Sequence, residues 1–101
     1  MTGIGFLDTE SQSDLWLRVC SLLNADPATV REPELKKVQP ELLELFGGGY
    51  LMYHPGDNSI LYSQEIDRGQ LAHEFAHAVM WQSPDMNGES ESIAQWVEQE
   101  V

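Results

Sequence analysis

The segment His73-Glu74-Phe75-Ala76-His77 holds the residues of this chain that are best suited to chemistry. His73 and His77 are four positions apart, so on a helix their imidazoles lie on one face, one turn apart. Two imidazoles so placed can bind zinc. Glu74 projects about 100° around the helix, where it reaches a water molecule beside the metal rather than the metal itself. A carboxylate in that position can act as a general base, so the motif predicts a hydrolytic zinc site.

The residues around the motif predict a buried helix. Its flanking residues Leu71, Ala72, Ala78 and Val79 are all uncharged. Buried polar side chains need partners, and a metal ion is an economical partner for two histidines and a glutamate. The alternative is a pair of core or surface histidines that bind no metal.

A catalytic zinc usually takes three protein ligands. No histidine or cysteine follows His77, which leaves carboxylates from the end of the chain. Glu91 is the first choice, because it begins the last predicted helix and the small Ala94 would allow that helix to pack closely on the histidine helix. Glu98 is the second choice and Glu89 the third.

Hydrophobic periodicity predicts a small α+β domain over residues 1–101, with N-terminal helices, a β-hairpin, a histidine helix and a C-terminal glutamate helix. The predicted elements are helices at 13–24, 40–46 and 65–81, a hairpin of strands 50–54 and 59–63, and a last helix that starts within 87–91. Residues 24–37 contain two prolines and are predicted as short turns. Residues 1–10 are either a short strand or an ordered tail.

The composition excludes several classes of partner. A net charge of −12, from 5 basic and 17 acidic residues, repels nucleic acids and anionic lipids but attracts cationic peptides. No stretch of 18 apolar residues is present, so we expect no membrane span. The N-terminus does not have the pattern of a signal peptide, and the single cysteine, Cys20, excludes an internal disulfide. Both observations favour a cytoplasmic protein.

The HEFAH motif followed by a glutamate on the next helix resembles the gluzincin clan of zinc peptidases. The form ExxA, from Glu91 to Ala94, is similar to a segment of the integral-membrane gluzincins of the CaaX-processing type. An aspartate often follows that alanine there, whereas Gln95 stands at this position. Residues 50–101 as a whole are most similar to the soluble minigluzincins of the abylysin and jannalysin type.

This resemblance implies a zinc metalloendopeptidase that cleaves peptides or unfolded proteins. His73, His77 and Glu91 would bind Zn²⁺, and Glu74 would be the general base. Strand 59–63 would form the upper rim of the cleft, and its edge would pair with an extended substrate.

Two further questions arise from the residues. An oxyanion needs stabilising groups, and the hairpin offers Tyr50, Tyr53, Tyr62 and His54, although packing is the more usual role for such side chains. Full-length protein is expected to be latent, with an acidic chain end (residues 1–12 or those after 98) near the cleft. The alternative function is a zinc-stabilised binding or regulatory module without catalysis, which would not require Glu74.

Overall fold

Asp67 starts the helix that carries both histidines. Its carboxylate accepts a hydrogen bond from the Gln70 N–H (2.8 Å), and the Gln70 side-chain oxygen accepts one from the Asp67 N–H (2.9 Å). This reciprocal capping box contributes about 1 kcal/mol to helix stability. The helix spans Arg68–Trp81, so it begins three residues later than predicted, because Asp67 caps it.

The computed structural model describes residues 9–101, which fold into an α+β unit. In chain order the elements are α1 (Thr9–Leu22), β1 (Glu34–Lys37), α2 (Pro40–Glu44), β2 (Leu51–His54), β3 (Ser59–Tyr62), α3 (Arg68–Trp81) and α4 (Glu91–Glu100). The predicted α+β class is confirmed, and so is the hairpin to within one residue at its ends. The strand or tail predicted at the N-terminus falls mostly outside the described residues. No helix in residues 9–101 is long and apolar enough to cross a membrane.

The sheet contains a strand that the sequence pattern did not predict. Residues 24–37 were predicted as turns, but Glu34–Lys37 form β1, which pairs parallel to β3. Val38 then extends this pairing, as its N–H donates to the Tyr62 carbonyl (2.8 Å). The sequence of β1, ELKK, has no apolar alternation. The prediction of turns alone was therefore wrong. This strand forms because it pairs with β3, and its own residue pattern does not favour a strand.

The strand order is β1-β3-β2, with β2 antiparallel to β3. β3 lies in the centre, so both of its edges are already paired. The expectation that strand 59–63 offers an edge to a substrate is therefore wrong. Within residues 9–101 the outer edge of β2 has no strand partner, and this edge lies beside α3.

The core lies between the sheet, α1 and α3. Leu15 and Val19 of α1 and Phe75 of α3 are fully buried, and Trp16 meets Phe75 edge to face with ring centroids 5.3 Å apart. Cys20 is also buried, and burial raises the pKa of its thiol to about 11. This packing fixes α3 between Leu71 and Met80 and leaves one face of the helix for the site.

α4 packs against α3 and completes the site. Ser90 caps α4 by accepting from the Ile93 N–H, which agrees with the predicted start. Ala94 is fully buried, as its small side chain allows. At the other end the Arg18 guanidinium donates to the Glu100 carbonyl (3.1 Å), and Val101 packs against the core. The C-terminal end therefore lies against α1 and the core.

Candidate metal centre

His73 and His77 lie side by side on α3. Their ring centroids are 5.1 Å apart with a tilt of 58°, as expected for two imidazoles one helical turn apart. His77 is buried at 8% exposure, and His73 is half-buried. The rings are thus held by their surroundings and have little freedom to turn away.

The inner nitrogen of each ring has a hydrogen-bond acceptor. His73 Nδ1 donates to Glu98 Oε1 (2.9 Å), and His77 Nδ1 donates to the Gly88 carbonyl (2.8 Å). A carboxylate and a carbonyl can only accept, so each Nδ1 carries a hydrogen. This arrangement leaves Nε2 as the nitrogen through which each ring can bind a metal ion.

Both Nε2 atoms face the carboxylate of Glu91. His73 Nε2 is 2.9 Å from Glu91 Oε1, and His77 Nε2 is 3.2 Å from Glu91 Oε2. At these distances the three groups can share a hydrogen between each nitrogen and the carboxylate, or they can share one metal ion. One ligand atom from each of the three residues falls within 4.8 Å of the others. Zinc bonds of about 2.0–2.2 Å in a tetrahedral site place ligand atoms about 3.3 Å apart, so these residues fit such an ion.

The other two candidate carboxylates lie elsewhere. Glu98 contacts the inner nitrogen of His73, so it orients a ligand rather than acting as one. Glu89 is exposed at the rim of the cleft. The residues that can hold a metal ion are therefore His73, His77 and Glu91.

The sequence pattern missed the orienting role of Glu98. Glu91 and Glu98 are seven residues apart on α4, which is two turns, so they lie on the same face. That spacing could have assigned one carboxylate to the metal and the other to the back of a histidine. The Gly88 carbonyl gave no signal, because a backbone acceptor is not visible in a sequence pattern.

Glu74 is half-buried between the metal ligands and β2. Its carboxylate accepts a hydrogen bond from the Tyr53 N–H on β2. Burial raises the pKa of Glu74; nearby His77 and His73 oppose this rise, and Glu91 adds to it. Glu74 is thus a carboxylate of increased basicity, held beside the metal ligands but not among them.

Two clefts flank Glu74. One has a volume of about 480 Å³ and is lined by Met52, Trp81 and Glu89 together with His77. The other, of about 220 Å³, lies on the side of His73 and Glu98. Glu74 lines both clefts, so an extended chain along β2 would pass directly over it.

The hairpin residues considered for oxyanion binding have other partners. The Tyr53 hydroxyl donates to Asn58 Oδ1 (2.7 Å), and His54 Nδ1 pairs with Asp57 Oδ1 (3.0 Å). The Tyr50 hydroxyl accepts from the Gln70 side chain, and Tyr62 packs against the core. These contacts agree with packing roles for the hairpin residues.

Comparisons with known proteins add no assignment. No protein-family model matches the chain, and no curated protein or solved structure matches it significantly. The gluzincin resemblance therefore rests on the motif residues themselves.

Proposed function

We propose that this protein is a zinc-dependent endopeptidase of the minigluzincin type. The observation that carries the proposal is the convergence of three ligand atoms, from His73, His77 and Glu91, with Glu74 beside them. A structural zinc site prefers four protein ligands, whereas a catalytic site keeps one position open. Three protein ligands with an adjacent basic carboxylate match the catalytic case.

Zinc bound by these residues would supply Lewis acidity, which lowers the pKa of water and polarises a carbonyl. Glu74 would take the proton from the attacking water and return it to the leaving amine. Burial raises the pKa of Glu74 in the metal-free site, and the charge of a bound cation would lower it again, so that the carboxylate would be ready to accept a proton. The Tyr53 N–H holds the carboxylate in position for both transfers.

The outer edge of β2 is the proposed site of the substrate backbone. The Ser63 N–H donates to the Tyr50 carbonyl across the hairpin (3.0 Å), and antiparallel pairing alternates along a strand. Leu51 and Tyr53 therefore turn their polar backbone groups away from β3. The contact from the Tyr53 N–H to Glu74 agrees with this. A peptide added at this edge would lie across the two clefts.

The test compares zinc-loaded wild type with Glu74→Gln and His73→Ala. We expect about one zinc per chain in wild type and Glu74→Gln, and none in His73→Ala. Only wild type should cleave an unstructured protein such as casein. Wild type that binds no zinc would overturn the proposal, as would equal cleavage by Glu74→Gln.

One observation favours the second candidate, a zinc-stabilised binding or regulatory module. The hairpin side chains available to stabilise an oxyanion all have other partners, as described above. Zinc binding without casein cleavage, both by wild type and by a version that starts at Thr9, would establish this alternative.

A further inference from the structure

The cleft on the His77 side has an apolar wall. Trp81, Met52 and Pro55 line it, and Trp81 is 47% exposed, although it follows directly on the most buried part of α3. A half-exposed indole at a cleft offers a flat apolar surface that water solvates poorly. Its position suggests contact with a ligand side chain.

The backbone of Gly88 holds this indole in place. A β-carbon at Gly88 would lie 2.5–2.7 Å from three atoms of the Trp81 ring, so the glycine lies against one face of the indole. The same Gly88 accepts the hydrogen bond from His77. The indole is therefore fixed at a constant distance from the metal ligands, as a specificity element must be.

The charge in this cleft has one sign. Glu89, Glu91 and Glu74 line it. No lysine or arginine among residues 9–101 lines either flanking cleft. Within the same part of the chain, no cation lies within ion-pair distance of Glu89. Because Glu91 and Glu74 serve the metal site, Glu89 is the carboxylate available to a ligand.

We propose that this cleft binds a lysine or arginine side chain that flanks the scissile bond, a specificity that rests on the proposed peptidase function. The alkyl stem of the residue lies on Trp81 and Met52, where long cationic side chains bury their methylene groups well. The cationic end lies against the indole face and the Glu89 carboxylate. A leucine would lose the charged contacts, and a glutamate would be repelled.

The experiment begins with zinc-loaded wild type and casein. Cleaved bonds are identified by mass spectrometry, and quenched peptides are made around one site with lysine, leucine or glutamate at the flanking position. We expect kcat/KM for the lysine peptide to exceed that for leucine about tenfold, with glutamate lowest. Equal values for lysine and leucine, or cleaved bonds without flanking lysine or arginine, would overturn the proposal.

Charge reversal tests the assigned residue. Glu89→Lys should invert the order of the lysine and glutamate peptides and leave the zinc content unchanged. Asp14→Lys is the matched control, because Asp14 is exposed on α1 and lines neither cleft. Asp14→Lys should cleave the lysine peptide faster than the glutamate peptide, as wild type does. An unchanged preference in Glu89→Lys would overturn the role of Glu89. Trp81 is less suitable for this test, since its ring supports Gly88.

A separate measurement distinguishes failure of the cleft from failure of the peptidase. If neither wild type nor a version that starts at Thr9 cleaves any substrate, the peptidase proposal fails. Binding of labelled lysine and glutamate peptides to the zinc-loaded protein is then measured by fluorescence anisotropy. About tenfold tighter binding of the lysine peptide, abolished in Glu89→Lys, would support the cleft on its own. Equal binding would overturn it.

Discussion

At the residue scale, the orientation of two imidazoles depends on two acceptors of different kinds. The Glu98 carboxylate holds His73, and the Gly88 carbonyl holds His77. Such partners fix the ring and increase ligand basicity, and losing one typically costs about 10- to 100-fold in metal affinity. The loss of an orienting acceptor therefore differs from the loss of a ligand in how far it lowers metal affinity.

The first prediction concerns these two kinds of carboxylate. Glu98→Ala should weaken zinc binding about 10- to 100-fold, because His73 loses its orienting partner. Glu91→Ala should weaken it by further orders of magnitude, because a ligand is lost. Competition with a chromogenic zinc chelator measures both affinities. Glu89→Ala is the control and should bind zinc like wild type. If Glu98→Ala bound zinc more weakly than Glu91→Ala, Glu98 would be the ligand and Glu91 the orienting residue.

The motif residues were visible in the sequence, whereas the backbone groups that support them were not. The spacing of His73 and His77 requires only a helix, and helical periodicity predicted one. The acceptor of His77 is a backbone carbonyl in a loop, so no side chain reveals it. The N–H that holds Glu74 belongs to Tyr53, and its direction depends on which β2 edge is free. A sequence pattern shows which side chains are present, but it does not show where backbone N–H and carbonyl groups point.

At the element scale, the loop between α3 and α4 is a structural part of the site. It places Gly88 between the Trp81 indole and the His77 ring. A side chain at position 88 would have to move the indole or the backbone, because the contact is to a ring rather than to a flexible end. Either movement disturbs the carbonyl that His77 needs.

The second prediction follows from this contact. Gly88→Ala should weaken zinc binding about tenfold or more, as His77 loses its fixed orientation. The double variant Gly88→Ala with Trp81→Leu should recover part of the affinity, since a smaller side chain leaves room for the methyl group. Isothermal titration with zinc provides the measurement. Undiminished affinity in Gly88→Ala would mean that the loop adapts freely.

The sequence predicted helices and the hairpin better than the sheet. Apolar periodicity and turn residues are local signals, and they located α1, α3, α4 and both hairpin strands. β1 depends on a partner about 25 residues away in sequence, since Glu34 pairs with Ser59, and its own residues are mostly charged. Without β1, the hairpin strand β3 looked like an edge. One missing strand thus moved the free edge, and with it the expected substrate site, from β2 to β3.

At the scale of the whole molecule, net charge should govern encounter with substrate. The chain carries −12, and the clefts beside Glu74 add carboxylates without cations among the described residues. Such a field attracts cationic chains over distances that salt shortens, from about 10 Å at 0.1 M to about 3 Å at 1 M.

The third prediction is a salt dependence that differs between substrates. Between about 0.1 and 1 M NaCl, kcat/KM for the lysine peptide should fall several-fold, because its attraction is screened. The leucine peptide, matched in all other residues and without net charge, should change little. Initial rates at low substrate concentration measure both. A parallel decline for the two peptides would indicate a general effect of salt on the protein.

The fourth prediction concerns latency of the full-length chain. The C-terminal end lies against α1 and the core, as the Arg18 contact to Glu100 shows. We therefore expect the N-terminal end, rather than the C-terminal end, to cause latency. Residues 1–8 of that end lie outside the described part of the chain. A version that starts at Thr9 should cleave casein faster than the 101-residue chain, since it lacks Asp8, whose carboxylate can bind zinc in place of water. Equal rates of casein cleavage by the two versions, at equal zinc content, would show that the N-terminal residues do not cause latency.

The candidate metal ligands and their hydrogen-bond acceptors all lie between His73 and Glu98, within 26 consecutive residues of the 101. A site so local closes short loops, which form early and at low entropic cost during folding. The same locality makes the unfolded chain a competitor for the ion, because His73 and His77 remain four residues apart when the helix melts. Zinc should therefore raise the melting temperature by less than its affinity for the native protein alone implies.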